Sequence, residues 1–357
     1  MLKRFVGTLI FLALVAITAG AQTPPTLTIV TETPGLPSEL FYGSVKVKPV
    51  RLRPGTTTPI TIDDSDFFVQ QQYIDFLRRF PDKPGFDHWV GEIDAFCNNS
   101  ANRLPGETVP QCIDRKRTNT SGAFYLSNEF QNSANYLIRI NWGTFGQNRA
   151  VGQKCITGQY ASLDAVCRPL YSQYITDMGT LTQGIVVNNA LVPAQMTTNR
   201  RNFAEAYITR SDFLAAYPSN MTADQFIDKL LTFTGTSLTP ADRAALVTDY
   251  NSPGASCSGG FSGFTTGRAC VLYKIVDGTD TDNTTANLVF NTTYGHDFYN
   301  KEFNPAFVYI QYLGYLRRNP DQGGYDHWSG KLAFFGNFVD AEMVRSFLVS
   351  DEYRGRF

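Results

Sequence analysis

The sequence has little of what most catalytic and nucleic-acid-binding sites use. Its 357 residues include three histidines, and only 18% of the chain is charged. Basic and acidic residues nearly balance, at 31 against 32, and no segment is strongly enriched in Lys or Arg. Because proteins that bind nucleic acid carry a basic patch or tail, nucleic acid is not an expected partner.

Long apolar runs are also missing. The longest, Val6 to Ile17, is too short for a membrane-spanning helix, which needs about 20 residues. It follows Lys3 and Arg4 and precedes Ala19-Gly20-Ala21, which is the order of regions in a secretory signal peptide. We therefore predict that residues 1–21 are a signal peptide. The mature chain is expected outside the cytoplasm, in the medium, at the cell surface or in the periplasm, with no transmembrane segment.

The six cysteines lack the close spacing of zinc ligands, which are typically separated by two to four residues. They fall instead into three local pairs, and each pair brackets a loop-like stretch of small or polar residues. Several connectivities are open to six cysteines, but short loops close at the lowest entropic cost. The sequence therefore favours disulfides Cys97–Cys112, Cys155–Cys167 and Cys257–Cys270. Such bonds are typical of exported proteins.

Residues 22–63 differ in composition from the rest of the chain. Prolines recur along this segment, and proline blocks helices and interrupts strand ladders. Short runs that favour β-structure lie between them, at 27–30, 44–47 and 60–62. The segment is predicted to be an extended tether that includes a strand or two.

The most informative feature is a pattern that occurs twice. Residues 68–93 (the first copy) and 307–332 (the second copy) match without a gap at an offset of 239 positions (307 minus 68). In the numbering of the first copy, the identical positions are Phe68, Val69, Gln72, Tyr73, Leu77, Arg78, Arg79, Pro81, Asp82, Gly85, Asp87, His88, Trp89 and Gly91. Internal repeats are typical of arrayed structural modules rather than of a single catalytic pocket.

Each copy is predicted to be a helix, a turn and a second helix. In the second helix of the first copy, Phe86, Trp89 and Ile93 recur at helical spacing, and Asp82 is placed to cap its N-terminus. Asp321 holds the same position in the second copy. We expect four aromatic residues to lie in the core: Tyr73, Trp89, Tyr312 and Trp328.

Weaker echoes of the pattern suggest four units. The strong repeats are assigned to 67–130 and 305–357, and diverged units to about 134–217 and 222–304. Each unit contains an acidic residue followed by an aromatic one: Glu129-Phe130, Asp212-Phe213, Glu302-Phe303 and Glu352-Tyr353. Further helices are predicted at 111–130, 161–178, 197–217, 223–233, 240–250 and 340–350. The expected fold is all-α over residues 64–357, an array of divergent helix–turn–helix repeats behind a short, Pro-rich, partly β extension.

The two Asp-His-Trp triplets hold two of the three histidines and offer the best candidates for a ligand site. The candidate metal or sugar ligands are Asp82, Asp87, His88, Asp321, Asp326 and His327. Calcium needs six or more oxygen ligands, and these segments lack the alternating acidic residues of an EF-hand loop. Helix capping and packing explain the same residues without any ligand, so both interpretations stay open. No cofactor is expected, Ca²⁺ being the one candidate.

Nothing in the chain marks a nucleophile. The cysteines are assigned to disulfides, and the glycine-rich segment Gly259-Gly260-Phe261-Ser262-Gly263 is not flanked by a predicted strand and helix, as a nucleophile elbow would be. The chain is therefore not expected to be an enzyme.

The repeated residues resemble the DUF4214 domain family, whose pattern runs Phe-Val-x-x-x-Tyr-x-x-x-Leu-x-Arg-x-Pro-Asp-x-x-Gly-x-x-x-Trp. The likeness is strongest at 68–93 and at 307–357, and it spans most of residues 64–357. The family is similar to phycobilisome linker domains and is common in exported bacterial proteins. The resemblance implies a helical fold and supplies no catalytic residues.

Two functions are therefore expected as alternatives. The first is a secreted, non-enzymatic structural or interaction module that contacts a protein or a surface glycan. The second is a calcium- or glycan-binding cell-surface protein that uses the Asp-His-Trp turns.

Overall fold

A computed structural model of the chain describes residues 57–146, 169–185, 192–252, 257–279 and 288–357, together with four short strands between residues 27 and 52. The chain divides into two units. The first unit contains an antiparallel sheet of β1 (Leu27–Val30), β2 (Glu39–Tyr42) and β3 (Val45–Val47), in that order. The partly β extension is thus confirmed, while the predicted signal peptide lies outside the described residues.

The second unit is helical, which confirms the predicted fold class. It begins with a two-residue ladder of β4 (Arg51–Leu52) and β5 (Pro59–Ile60). The α-helices are α1 (Ser65–Gln72), α2 (Lys83–Asn98), α3 (Val109–Leu126), α4 (Asn128–Phe130), α5 (Tyr136–Phe145), α6 (Tyr171–Leu181), α7 (Val192–Tyr207), α8 (Ser211–Ala216), α9 (Ala223–Thr234), α10 (Pro240–Asn251), α11 (Gly267–Val276), α12 (Thr293–Gln311), α13 (Gln322–Phe335), α14 (Met343–Val349) and α15 (Asp351–Arg354). Across the described ranges, no helix is both long and apolar enough to cross a bilayer.

Short segments of other helix types join several of these elements. One turn of 3₁₀-helix covers Ser100–Asn102. Three π-helical turns cover Tyr73–Leu77, Gln131–Asn135 and Tyr312–Leu316. The first and third of these occupy the same position in the two sequence copies, so the duplication extends to an uncommon backbone conformation.

The two sequence copies share one aromatic core. The Phe76 ring lies 6.3 Å from that of Phe130 and 5.0 Å from that of Tyr315 in the second copy. Tyr315 in turn packs edge-to-face on Tyr353, at 4.9 Å. All four rings are buried. The repeats are therefore not structurally independent, because the first and last parts of the helical unit pack directly on each other.

Several of the predicted helices are interrupted by the same backbone bend. The segment predicted as one helix at 111–130 breaks at Ser127 (φ −64°, ψ 144°), and the segment at 197–217 breaks at Arg210 (φ −64°, ψ 143°). Ser350 (φ −65°, ψ 143°) separates α14 from α15 in the same way. Each bend starts a new helix just before an acidic–aromatic pair. The fourth predicted pair, Glu302-Phe303, lies inside α12 and has no such bend.

Two of the three predicted disulfides lie among the described residues and are present. Cys97–Cys112 joins α2 to α3 across a Cα–Cα distance of 5.6 Å. Cys257–Cys270 fastens a glycine-rich segment to α11, with Cα atoms 6.0 Å apart. The predicted pair Cys155–Cys167 lies outside the described residues.

Thiol labelling will test the complete set of disulfides. We expect no alkylation of the denatured, unreduced protein and six alkylated cysteines after reduction, because three local bonds would use all the thiols. Intact mass measures both states. Labelling of Cys155 or Cys167 before reduction would contradict the third bond.

Candidate functional site

The turn of each copy adopts the same conformation. The π-helical turns end at Arg78 (φ 57°) and Arg317 (φ 53°), both in the left-handed region that most residues avoid. Downstream, Asp82 accepts a hydrogen bond from the backbone N–H of Gly85 at 2.9 Å, and Asp321 accepts one from Gly324 at 2.8 Å. These bonds cap α2 and α13, as the sequence predicts for the two aspartates.

A buried tyrosine packs against each turn. Tyr73 and Tyr312 are each 4% exposed. Burial raises the pKa of Tyr312 to about 12, and the indole N–H of Trp328 lowers it by less. The hydroxyl lies so close to Gly324 that a Cβ added to this glycine would collide with it. Gly85 and Tyr73 make the same close approach in the first copy.

Gly324→Ala is expected to lower the free energy of unfolding by about 1–3 kcal/mol, as overpacking does. Tyr312→Phe removes the oxygen that the new methyl group meets, so the double variant should lose less stability than the two single variants together. A double-mutant cycle in urea measures this coupling. Gly330→Ala is the matched control, because a Cβ added there would meet no described atom within 4 Å beyond its chain neighbours and its own helix backbone. Purely additive losses would contradict the proposed steric contact.

An arginine clamps each turn to the end of its repeat. The guanidinium of Arg79 donates two hydrogen bonds to Glu129, at 2.6 and 2.7 Å, and that of Arg318 donates two to Glu352, at 2.6 and 3.1 Å. Each guanidinium also stacks on the tyrosine of its own turn, at 4.8 Å in the first copy and 5.2 Å in the second. The structural similarity of the two repeats therefore extends from the turn to the acidic–aromatic pair.

The two strong sequence repeats differ in length. The arginines are 239 positions apart (318 minus 79), but the glutamates are only 223 apart (352 minus 129). The first repeat is thus longer by the difference, and most of its extra residues lie in α3, which has 18 residues where α14 has 7. The Cys97–Cys112 disulfide joins α2 to the start of this longer helix.

The candidate ligand residues of the first copy have separate partners. Asp82 caps α2 and lies 3.7 Å from Arg79, while Asp87 is exposed and forms an ion pair with Lys83 at 2.6 Å. His88 is exposed, and its ring lies edge-on to Trp89 at 4.9 Å.

The second copy repeats this arrangement with one change of partner. Asp321 caps α13, Asp326 accepts a hydrogen bond from Gln322 at 2.7 Å, and exposed His327 lies 4.8 Å from the ring of Trp328. In neither copy do three of these side chains form a group close enough to hold a metal ion, within the ranges the structure describes.

The predicted core aromatics divide into two kinds. Tyr73 and Tyr312 are buried, as expected. Trp89 and Trp328 are half-buried and pack on the rim of the core, where their rings lie 5.6 Å from Phe124 and 5.8 Å from Phe347.

One group of potential metal ligands does come together. Oxygen or sulfur atoms of Asp249, Cys257 and Cys270 lie within 4.8 Å of one another. The two sulfurs are bonded to each other, however, so they are not the thiolates that bind metal ions. Asp249 instead forms a buried ion pair with Lys274, at 2.6 Å.

The sequence analysis missed the buried charges. Asp277 is fully buried between the guanidiniums of Arg139 and Arg200, and Arg139 also donates to Asn135 at 2.6 Å. Burial raises the pKa of Asp277, but the two arginines and the hydroxyls of Thr279 and Tyr273 together lower it by more, so it lies below the ordinary value. A signal was present, because Arg139 and Lys274 each interrupt a strongly apolar run.

Comparison with known proteins identifies one family. No curated protein and no solved structure matches the chain. The model of a family described as a domain of unknown function, DUF4214, matches residues 282–357. This stretch contains α12 to α15 and therefore the whole C-terminal repeat, from its turn to the Arg318–Glu352 ion pair. The first copy lies outside the match, although its turn has the same geometry. Over residues 282–357, the chain carries a domain of the DUF4214 family.

Proposed function

We propose that this protein is an exported, non-enzymatic structural or interaction module. The signal-peptide pattern of residues 1–21 supports export, and so do the two disulfides among the described residues. Function would then reside in a surface presented by the paired repeats rather than in a catalytic pocket.

The observation that carries this proposal is the use of the duplicated turn's polar groups. In both copies the aspartate caps a helix and the arginine clamps the repeat. Catalysis needs a nucleophile or a base that is free to react with substrate. These groups instead hold the backbone, and they do so twice.

A contact surface is available at the end of α13. The side chains of Phe334, Phe335 and Val339 are 83%, 44% and 48% exposed, and the two rings contact each other at 4.9 Å. In the first copy, Phe96 holds the position of Phe335 and is covered by the ammonium group of Lys116, 4.0 Å from the ring centroid. The second copy thus exposes an apolar surface whose counterpart the first copy covers, and a protein is the partner that fits it.

Site-specific crosslinking tests the proposal. A photoreactive phenylalanine analogue at Phe334 should form one defined protein adduct in intact cells of the native host. The same analogue at Leu104 provides the control, since that side chain is 55% exposed and lies between α2 and α3, away from α13 in sequence. Equal adducts at both positions, or none at Phe334, would argue against a partner on this surface.

The calcium- or glycan-binding alternative is favoured by one observation, the exposed imidazoles beside the two tryptophans. Calorimetry with Ca²⁺ and a glycan array tests it. Binding that disappears in a His88→Ala, His327→Ala double variant with unchanged melting temperature would support this function over the first.

A further inference from the structure

The turns of the two copies meet at a group of charged residues in which positive charges outnumber negative ones. Asp75, in the first π-helical turn, accepts a hydrogen bond from Arg356 at 2.7 Å and lies 3.4 Å from Arg317. Its carboxylate is 1% exposed. Arg78, at the end of the same turn, has both Asp75 and Arg317 as electrostatic neighbours. Two guanidinium groups thus bond to one carboxylate and a third lies near them, which leaves an excess of two positive charges.

The duplication shows why the charges do not balance. Arg317 has a carboxylate opposite it because the first copy carries Asp75. The equivalent position in the second copy is Gly314 (75 plus 239), so the equivalent arginine, Arg78, has no counterpart there. Within the described ranges no carboxylate forms an ion pair with Arg78, and its buried Nε has no hydrogen-bond partner. Burial lowers the pKa of Arg78, and Arg317 adds to this effect.

Other unpaired polar atoms have the same carboxylate as an electrostatic neighbour. Among the described residues, the hydroxyls of Tyr174 and Tyr353 have no hydrogen-bond partner, although both side chains are only 1% exposed. Asp75 is an electrostatic neighbour of both, and burial raises both of their pKa values far above the ordinary range. The second oxygen of Asp75, Oδ2, is also buried without a donor. A buried polar atom without a partner destabilises the fold, so several in one place point to a ligand that pairs with them.

We propose that this group, the Asp75 cluster (Asp75, Arg78, Tyr174, Arg317, Tyr353 and Arg356), binds hydrogen phosphate. The ion carries about two negative charges, which match the excess positive charge. Its unprotonated oxygens accept from guanidinium and phenol donors, and its single O–H donates to Oδ2 of Asp75. Arg78 is half-buried and the Arg317 side chain is 17% exposed, so the cluster is open to solvent on that side.

Asp75 makes the proposed site selective. Sulfate has the same shape and charge as hydrogen phosphate but no proton at neutral pH, so it would place an oxygen against the Asp75 carboxylate. Phosphate monoesters in their dianionic form also lack this proton. The Asp75 cluster should therefore prefer inorganic phosphate to sulfate and to glycerol phosphate. A bound ion would join the first and last copies, independently of any partner on α13.

Titration calorimetry of the full exported chain at pH 7.5 and constant ionic strength tests this proposal. We expect one saturable phosphate site per chain, with at least tenfold weaker binding of sulfate and glycerol phosphate. Arg78→Gln should weaken phosphate binding at least tenfold and abolish the phosphate-dependent rise in melting temperature. Arg345→Gln is the control with the same loss of charge, because Arg345 forms an exposed pair with Asp114.

The outcomes are distinct. The proposal is overturned if phosphate gives no saturable binding, if sulfate binds equally well, or if Arg345→Gln weakens binding as much as Arg78→Gln does. Asp75→Asn supplies a second test, since an amide can donate to sulfate and should remove the preference for phosphate. If that variant does not fold, the comparison of Arg78→Gln with Arg345→Gln still decides.

Discussion

Asp277→Asn is expected to lower the free energy of unfolding by about 3–5 kcal/mol, the usual cost of removing one partner from a buried ion pair. The substitution keeps the shape of the side chain but removes its charge. Arg139 and Arg200 would then be buried as two like charges with no counterion, since their side chains are 0% and 3% exposed. Urea denaturation followed by circular dichroism measures the loss.

An exposed aspartate provides the matched control. Asp114→Asn breaks the ion pair with Arg345, whose side chains are 40% and 53% exposed, so it should change stability by less than about 1 kcal/mol. Similar losses in the two variants would mean that the Asp277 pair contributes no more than a surface pair.

The contribution of Asp277 to stability should depend on pH in the acid range. Because the pKa of Asp277 is lowered in the folded protein, its contribution to stability is complete above the ordinary pKa of about 4. That contribution is lost as the pH falls through the lower, folded-state value. Asp277→Asn should therefore lose less stability than the native chain between pH 4 and pH 2. An identical pH dependence in both proteins would rule out this linkage.

The local features of the repeat were predictable because each depends on residues close in sequence. Asp82 and Asp321 cap helices in the position that their spacing before Gly85 and Gly324 predicts. The pairing of cysteines within short loops follows the same logic and is confirmed for the two pairs that the structure describes.

The helix breaks were not predicted, although a local signal existed. Ser127 and Ser350 each accept a hydrogen bond from the backbone N–H three residues ahead, at 3.2 Å, as N-cap residues do. Apolar periodicity continues across these serines, so it masked the caps. Arg210 makes the same bend without a side-chain cap, which sequence alone does not indicate.

The pairing of residues within the charged clusters was beyond prediction, because the partners are distant in sequence. Asp277 and Arg139 are separated by 138 positions, and Asp75 and Arg356 by 281. No local pattern joins such residues, and only the packing of one repeat on the other brings them together. The duplication adds one usable signal, the aspartate of the first copy that is a glycine in the second.

Trp89→Ala and Trp328→Ala should each lower the free energy of unfolding by about 3 kcal/mol, near the low end for truncating a large aromatic residue. The low end is expected because both rings are half-buried. Each variant loses its packing against Phe124 or Phe347.

Matched substitutions separate folding from binding for these tryptophans. Trp→Phe keeps an aromatic ring and loses the N–H donor, so it should recover more than half of the stability lost in the alanine variant. Circular dichroism is the suitable probe, since fluorescence changes with the substitution itself. The repeated environment predicts similar losses at the two positions, because the same contacts are removed in each. A Trp89→Ala variant that keeps its full stability but no longer binds a glycan would instead make this tryptophan a ligand-binding residue, and the calcium- or glycan-binding function would then replace the structural one.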